Sequence, residues 1–336
     1  MDMMKLNNLS KEFKKLILES ENIAVGSHLN PDGDNLGSVT AMITLLKNLG
    51  KKPVFLLDDL IPSSFLFLPN ISEGVSPSDL LNNKFDLFIA LDCSDADRMG
   101  DNLKNILNKS LKSINIDHHK TNENFADLNI VDIKSPATCE LLFRILEKCE
   151  FNLDKDIATS LYTGLSTDTG SFKYDSVNSE TFRIASELVK YNINLNEIAV
   201  NVYQSRSLEK TNLLIRALNS IEYYCDNKIA IATVTINDMD ITNAAKGDAD
   251  GIVEFVRDIE GVELAVLLKE KKDSIRVSLR SKSVINCTNI ASKFNGGGHV
   301  RASGATIDHT DLKKAIEEIV EAAREELWYE GVTNFW

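Results

Sequence analysis

Residues 85–92 read Phe-Asp-Leu-Phe-Ile-Ala-Leu-Asp. The first seven are nearly all apolar, as in a strand covered on both faces, and the carboxylate of Asp92 follows at once. Working outward, residues 22–26, 53–57 and 113–116 read as further short strands. Residues 10–19 and 36–49 read as helices, the second stopped by Gly50. Ser135-Pro136 marks another helix start, with Leu142, Ile145, Leu146 and Cys149 on one face. Strands alternating with helices predict an α/β fold on a parallel sheet. Residues 190–210 are polar and helix-compatible without a strand, a connector. Beyond them, strands at 228–236, 262–269 and 274–280 and helices at 247–259, 288–294 and 311–327 predict a second, smaller α/β domain.

The length of 336 residues suits two such domains. Hydrophobic residues at 43% and charged residues at 26% exclude a disordered or fibrous chain. No apolar run reaches the roughly 18 residues of a membrane span. Residues 1–20 carry no small-residue cleavage site, so no secretory signal is expected and the expected location is cytoplasmic. Five cysteines, scattered and without a CxxC pair, predict a reduced compartment with neither a disulfide frame nor a zinc knuckle. The net charge of −13 opposes long duplex nucleic acid, which is bound by neutralising many phosphates. A short nucleotide remains compatible, because a local cationic pocket outweighs a distant net charge.

Four polar clusters stand out, most of them after predicted strands, where open parallel sheets bind ligands. They are Ser27-His28-Leu29-Asn30-Pro31-Asp32-Gly33-Asp34, then Asp92 with Ser94, Asp95 and Arg98, then Asp117-His118-His119, then Thr167-Asp168-Thr169-Gly170. Each alone has a plain reading as a turn, a helix cap or a surface histidine. Together they supply carboxylates and imidazoles from separate segments to one sheet edge, which a metal cluster requires. Oxygen and nitrogen donors without thiolate suit manganese, magnesium or cobalt. A calcium loop fails, because Leu36 and Ile43 stand where oxygen ligands belong. There is no HExxH, GxxxxGK[ST] or GxGxxG, and residues 164–168 do not form a GxSxG elbow.

These segments, with Gly37-Ser38, Asn115 to Asn122, Phe172 and Tyr174, resemble the four ordered motifs of the DHH phosphoesterases. Arg280-Ser281 and Gly296-Gly297-Gly298-His299-Val300-Arg301-Ala302-Ser303-Gly304 resemble the signature of the associated C-terminal domain. Ser303 departs from the alanine common there, a small-for-small change. The resemblance covers nearly the whole chain and is similar to the stand-alone bacterial nanoRNase and pAp phosphatase branch. It implies an N-terminal parallel-sheet DHH domain over 1–188, a helical linker over 189–212 and a smaller substrate-binding α/β domain over 213–336.

The resemblance further implies a two-metal hydrolase, with Mn2+ expected and Mg2+ or Co2+ as substitutes. His28, Asp32 and Asp92 would hold one ion, and Asp34, Asp92, His118 and Asp168 the other, with Asp92 bridging. Ions about 3.5–4 Å apart would share a hydroxide that attacks phosphorus. Asp117 would orient an imidazole and His119 would face the substrate phosphate. Arg98, Arg280, Ser281, Gly296, Gly297, Gly298 and His299 would bind substrate, the glycines as a flexible loop whose N–H groups reach a phosphate. The expected active site lies in the interdomain cleft. Expected substrates are short single-stranded oligonucleotides, cleaved 3′–5′, and pAp. The alternatives are a cyclic di-AMP or linear pApA phosphodiesterase and, in a different class, a non-catalytic nucleotide sensor, which would lack a metal ligand. Homodimer assembly is implied by the resemblance alone.

Overall fold

Leu87–Leu91 is the central strand of a five-stranded, all-parallel sheet. A computed structural model of the protein describes residues Met1–Tyr329, in two units that divide between Ser205 and Arg206. The first unit runs α1 (Met3–Glu19), β1 (Ile23–Gly26), α2 (Gly33–Asn48), β2 (Val54–Leu56), β3 (Leu87–Leu91) and α3 (Gly100–Lys109). It continues through β4 (Lys112–Asp117), β5 (Leu128–Val131), α4 (Thr138–Lys148), α5 (Lys155–Asp168), α6 (Ser179–Val189) and α7 (Leu195–Tyr203), with four short 3-10 turns between β2 and α3. The sheet order is β2-β1-β3-β4-β5. Alternate residues of β3 enter opposite cores: Leu87, Ile89 and Leu91 pack with helices α2, α4 and α5, Phe88 and Ala90 with Met99, Leu103 and Ile106 beside α3. Both faces are therefore apolar, which is why the strand reads as a continuous run. The strand order reverses direction between β1 and β3, where doubly wound sheets open a crevice at the strands' carboxyl ends.

The second unit holds α8 (Leu208–Asn219), β6 (Glu222–Tyr224), β7 (Ile229–Val234), α9 (Ile236–Thr242), α10 (Ile252–Arg257), β8 (Leu264–Glu270) and β9 (Ile275–Ser281). It closes with α11 (Cys287–Ser292), β10 (Gly297–His299), β11 (Ala302–Ile307) and α12 (Leu312–Tyr329). Its mixed sheet has the order β10-β11-β9-β8-β7-β6. One face packs Ile229, Val266, Val277 and Ile307 against α11 and α12, the other packs Ala230, Ala265 and Leu267 against α8 and α10.

Several expectations are corrected. Helix α2 begins at Gly33, because the Asp32 side chain accepts the N–H groups of Asp34 and Asn35 and so caps it. Asp34 is thus a helical residue in the first turn. Helix α1 starts at Met3 with Asp2 as cap, well before residue 10. Asp168, to which the sequence assigns no element, is the last residue of α5. The triglycine is no loop throughout, since Gly297–His299 pairs with Ala302–Gly304 as a short antiparallel edge strand.

Candidate active site

The site assembles at the carboxyl ends of β1, β3 and β4. His28 lies two residues beyond β1, Asp92 directly follows β3, and His118 directly follows β4. Asp92 takes a left-handed backbone, φ 60°, and its N–H donates to the Ile116 carbonyl at 2.9 Å. Such a conformation is costly for a side chain other than glycine and marks positions that the surroundings hold for a purpose. It turns the carboxylate inward, where it is 2% exposed. Helix α5 brings in Asp168 because it packs tightly on α2. A Cβ on Gly33 would stand 2.4 Å from Thr167 Oγ1, and one on Gly164 would stand 2.9 Å from Asp34 Oδ1.

Ligand atoms of His28, Asp32 and Asp92 lie within 4.8 Å of one another, as do those of Asp34, His118 and Asp168. His28 Nε2 is 3.6 Å from Asp92 Oδ2. His118 Nε2 is 3.3 Å from Asp168 Oδ2, 3.6 Å from Asp92 Oδ1 and 3.9 Å from Asp34 Oδ2. The opposite nitrogens of both rings meet carbonyl oxygens: His28 Nδ1 donates to Leu29 at 2.9 Å and His118 Nδ1 to Ser135 at 3.2 Å. With Nδ1 held in this way, each ring presents Nε2, the atom by which an imidazole ligates a cation, to the carboxylate oxygens.

The carboxyls point the same way. Burial, then the charge of Asp34, drives Asp92 well above the usual carboxylate range. Burial and Asp32 push Asp34 up to about 6, and burial and Asp34 push Asp168 up to about 7. Burial holds His28 below its ordinary value, so it stays neutral. A cluster that resists ionisation by itself is relieved by divalent cations. The buried thiols of Cys93 and Cys139 are pushed well above their usual value and offer no thiolate. The donors therefore fit hard or borderline divalent ions.

His119 does something else. Its Nδ1 donates to Asp117 Oδ1 at 2.7 Å, a bond that raises the imidazole above its ordinary value. Burial would raise Asp117, but His119 and Asn122 hold it below its usual range. Asn122 Nδ2 donates to Asp117 Oδ2 at 2.6 Å and to Asn115 Oδ1 at 2.7 Å, which locks the carboxylate. Asp117 thus lies behind His119 and orients it. Arg98 is exposed, lies close enough for its charge to bear on His28 and His119, and has no ion pair among the described residues.

One residue absent from the sequence reading stands in the middle. Thr138, fully buried at the start of α4, donates its hydroxyl to Asp92 Oδ1 at 2.9 Å and its N–H to Asp34 Oδ2 at 2.6 Å. The Cys139 N–H meets Asp34 Oδ1 at 2.9 Å. Helix α4 has no side-chain cap of its own, and Asp34 serves as one from another helix. The only local signal was the helix start after Ser135-Pro136, which says nothing about a partner over a hundred residues away.

The other expected substrate-binding residues lie in the second unit. Arg280 Nε donates to Glu254 Oε1 at 2.8 Å, so its guanidinium is already held by α10. Ser281 is buried and donates to the Ile285 carbonyl at 2.7 Å, which commits its hydroxyl to a turn. Gly297, Gly298 and His299 are exposed on β10, next to Gly296.

The chain matches the sequence description of the DHH family, N-terminal domain, over residues 22–165, and that of the DHHA1 domain over 226–328. It is 33% identical over 311 residues to a Thermus thermophilus protein named bifunctional oligoribonuclease and PAP phosphatase NrnA, covering 92% of this chain and 91% of that one. A Bacillus subtilis protein of the same name is 28% identical over 308 residues, covering 89% and 93%. The crystal structure of an exopolyphosphatase-related protein from Bacteroides fragilis superposes with a TM-score of 0.88 and 27% identity over 97% of each chain.

Proposed function

The chain belongs to the DHH family, and from that premise we propose that it is a metal-dependent phosphoesterase that degrades short oligonucleotides and dephosphorylates pAp to AMP. It is a hydrolase of phosphoester bonds, as its relatives' names state of them. The observation that carries the reading is the pair of imidazoles tied back at Nδ1 with their Nε2 atoms converging on Asp92. His28, Asp32 and Asp92 hold one divalent ion in this reading, and Asp34, Asp92, His118 and Asp168 the other. Such ions supply Lewis acidity at phosphorus and lower the pKa of water. The chain's own residues do the rest. Asp117 fixes the His119 ring so that its Nε2 faces outward as a donor to a phosphoryl oxygen, and Arg98 adds a fixed positive charge beside it. Arg280 and His299 grip a phosphate remote from the reacting one.

Manganese is the preferred ion, supported by the mixed nitrogen and oxygen donors. Long duplexes are excluded, supported by the net charge of −13. The family resemblance alone carries a homodimer, which light scattering reads. The deciding experiment incubates the protein and Asp92→Ala with oligoribonucleotides of two to five residues and with pAp, in manganese and after chelation. Turnover should require metal and fall by at least about 10²–10³ in the variant. Full turnover after exhaustive chelation ends the proposal.

A further inference from the structure

The register of the second sheet lines up a cationic path that neither the motifs nor the relatives' names assign. His299, Ala302 and Arg280 are cross-strand neighbours on one face, and two residues along come Gly297, Gly304 and Ser278. Two further along, Thr306, Arg276 and Lys269 share that face. Helices α8 and α10 cover this face over β7 and β8, where Ala230, Ala265 and Leu267 are buried, but leave its other end open. Gly297, His299, Arg276 and Thr306 are exposed there. The floor between the two arginines is Gly297, Gly304 and Ser278, flat enough for a ribose or base to lie on. A groove of about 500 Å³ opens at the Arg276 end and runs over the edge of the sheet, with Phe294, packed against the α11–α12 core, in its far wall and Asp308 in its lining.

Charge distinguishes the two ends. Arg280 is held by Glu254, whereas Arg276 has no carboxylate within 4 Å among the described residues. Its neighbour Lys269 is kept below its ordinary value by burial and then by Lys271, with Arg276 and Lys246 adding to this and Asp250 opposing it. Lys269 Nζ already donates to the Lys246 carbonyl at 2.7 Å, so Arg276 is the cation at this end that is open to an anion. Four residues along a strand amount to about 13 Å, and side chains stand roughly perpendicular to a sheet. Arg280 and Arg276 therefore address different phosphates of one strand, not the same one.

We propose that Arg276, with Phe294 as a stacking wall, forms a second phosphate-and-base subsite that engages oligonucleotides longer than a dinucleotide. The inference rests on the oligonucleotide reading above and deepens it: the open sheet face measures substrate length. Base stacking on an aromatic ring and a backbone-tracking arginine both tolerate any sequence, so the subsite selects length and not base.

The test uses the manganese-loaded full chain and 5′-fluorescein oligoadenylates of two to five residues, with Arg276→Ala, Arg276→Lys and Asp308→Asn. The ratio of kcat/KM for the pentamer to that for the dimer should fall about tenfold in Arg276→Ala, mainly through KM. Arg276→Lys should keep the ratio within threefold of the parent, and Asp308→Asn should raise it. The salt dependence of pentamer cleavage should become shallower by roughly 0.7 in logarithmic slope for one lost phosphate contact. Anisotropy of the same pentamer on metal-free protein gives an independent reading of affinity. A pentamer that binds through Arg276 yet is not cleaved sinks the hydrolase reading and leaves the subsite standing. An unchanged length ratio and unchanged pentamer affinity in Arg276→Ala overturn the subsite, and equal loss at every length does so too.

Discussion

Replacing Thr138 by Val preserves the shape of a fully buried side chain and deletes one hydroxyl. That hydroxyl is a 2.9 Å donor to Asp92, the carboxylate whose oxygens face both imidazoles. The backbone N–H of residue 138 still reaches Asp34, so the helix start survives. A hydrogen bond to a charged group contributes about 1.5–3 kcal/mol, and each 1.4 kcal/mol is about tenfold in affinity. Divalent-ion affinity should therefore fall about 10–100-fold, the range usual when an outer partner of a ligand is lost. Because Asp92 serves both groups of ligands, both ions should weaken together. Calorimetric titration of metal-free protein with manganese measures this without reference to turnover. The melting temperature should drop more with manganese present than without it, since burial already disfavours the charged Asp92 in metal-free protein. Thr138→Ser should stay within about threefold of the parent. Manganese affinity within twofold of the parent in Thr138→Val, with equal losses of melting temperature in both states, would refute the reasoning and leave a merely structural hydroxyl.

Gly164→Ala should destabilise by about 1–3 kcal/mol, because its methyl would meet Cys139 Sγ at 2.3 Å and Asp34 Oδ1 at 2.9 Å. Adding Cys139→Ala should recover part of the loss, and an unchanged melting temperature in the single variant contradicts the packing argument. Glu140 is buried and its carboxyl is raised by that burial despite the Thr181 hydroxyl at 2.8 Å. A carboxyl raised on folding favours the native state most below its unfolded value of 4.5 and loses that contribution as pH climbs through the folded value. Glu140→Gln should accordingly gain melting temperature at pH 8 relative to its effect at pH 4.5, and the opposite trend rules the account out. Finally, His299→Ala should depress cleavage of a dinucleotide far more than that of bis-p-nitrophenyl phosphate, which offers no remote phosphate. Equal losses on both would place His299 in the chemistry instead.

Much of the first unit was legible because its signals are short-range. An apolar run closed by a carboxylate or histidine states both a buried strand and a polar group at its carboxyl end, as at residues 23–28 and 87–92. The helix carrying Asp168 was not legible. Residues 155–168 include three threonines, two serines and a glycine, weak helix formers, and the helix exists because its small residues let it press against α2. The edge strand at Gly297–His299 is hidden in the sequence for a similar reason, since glycine carries no strand preference and only pairing with β11 sets its conformation.

The sequence by itself determined the inventory: which donors are present, that they are oxygen and nitrogen, and that most stand just past strands. Only the tertiary structure decided their partners. Thr138 meets Asp92 across 46 positions and Asp34 across 104, and Arg280 meets Glu254 across 26. Hydrogen bonds and ion pairs act over a few ångströms of space, whatever the distance along the chain. Alternation along Ile275–Ser281 already turns Arg276 and Arg280 to one face, opposite Ile275, Val277 and Leu279. Only strand pairing set His299 and Lys269 beside them, because register joins residues that nothing local connects.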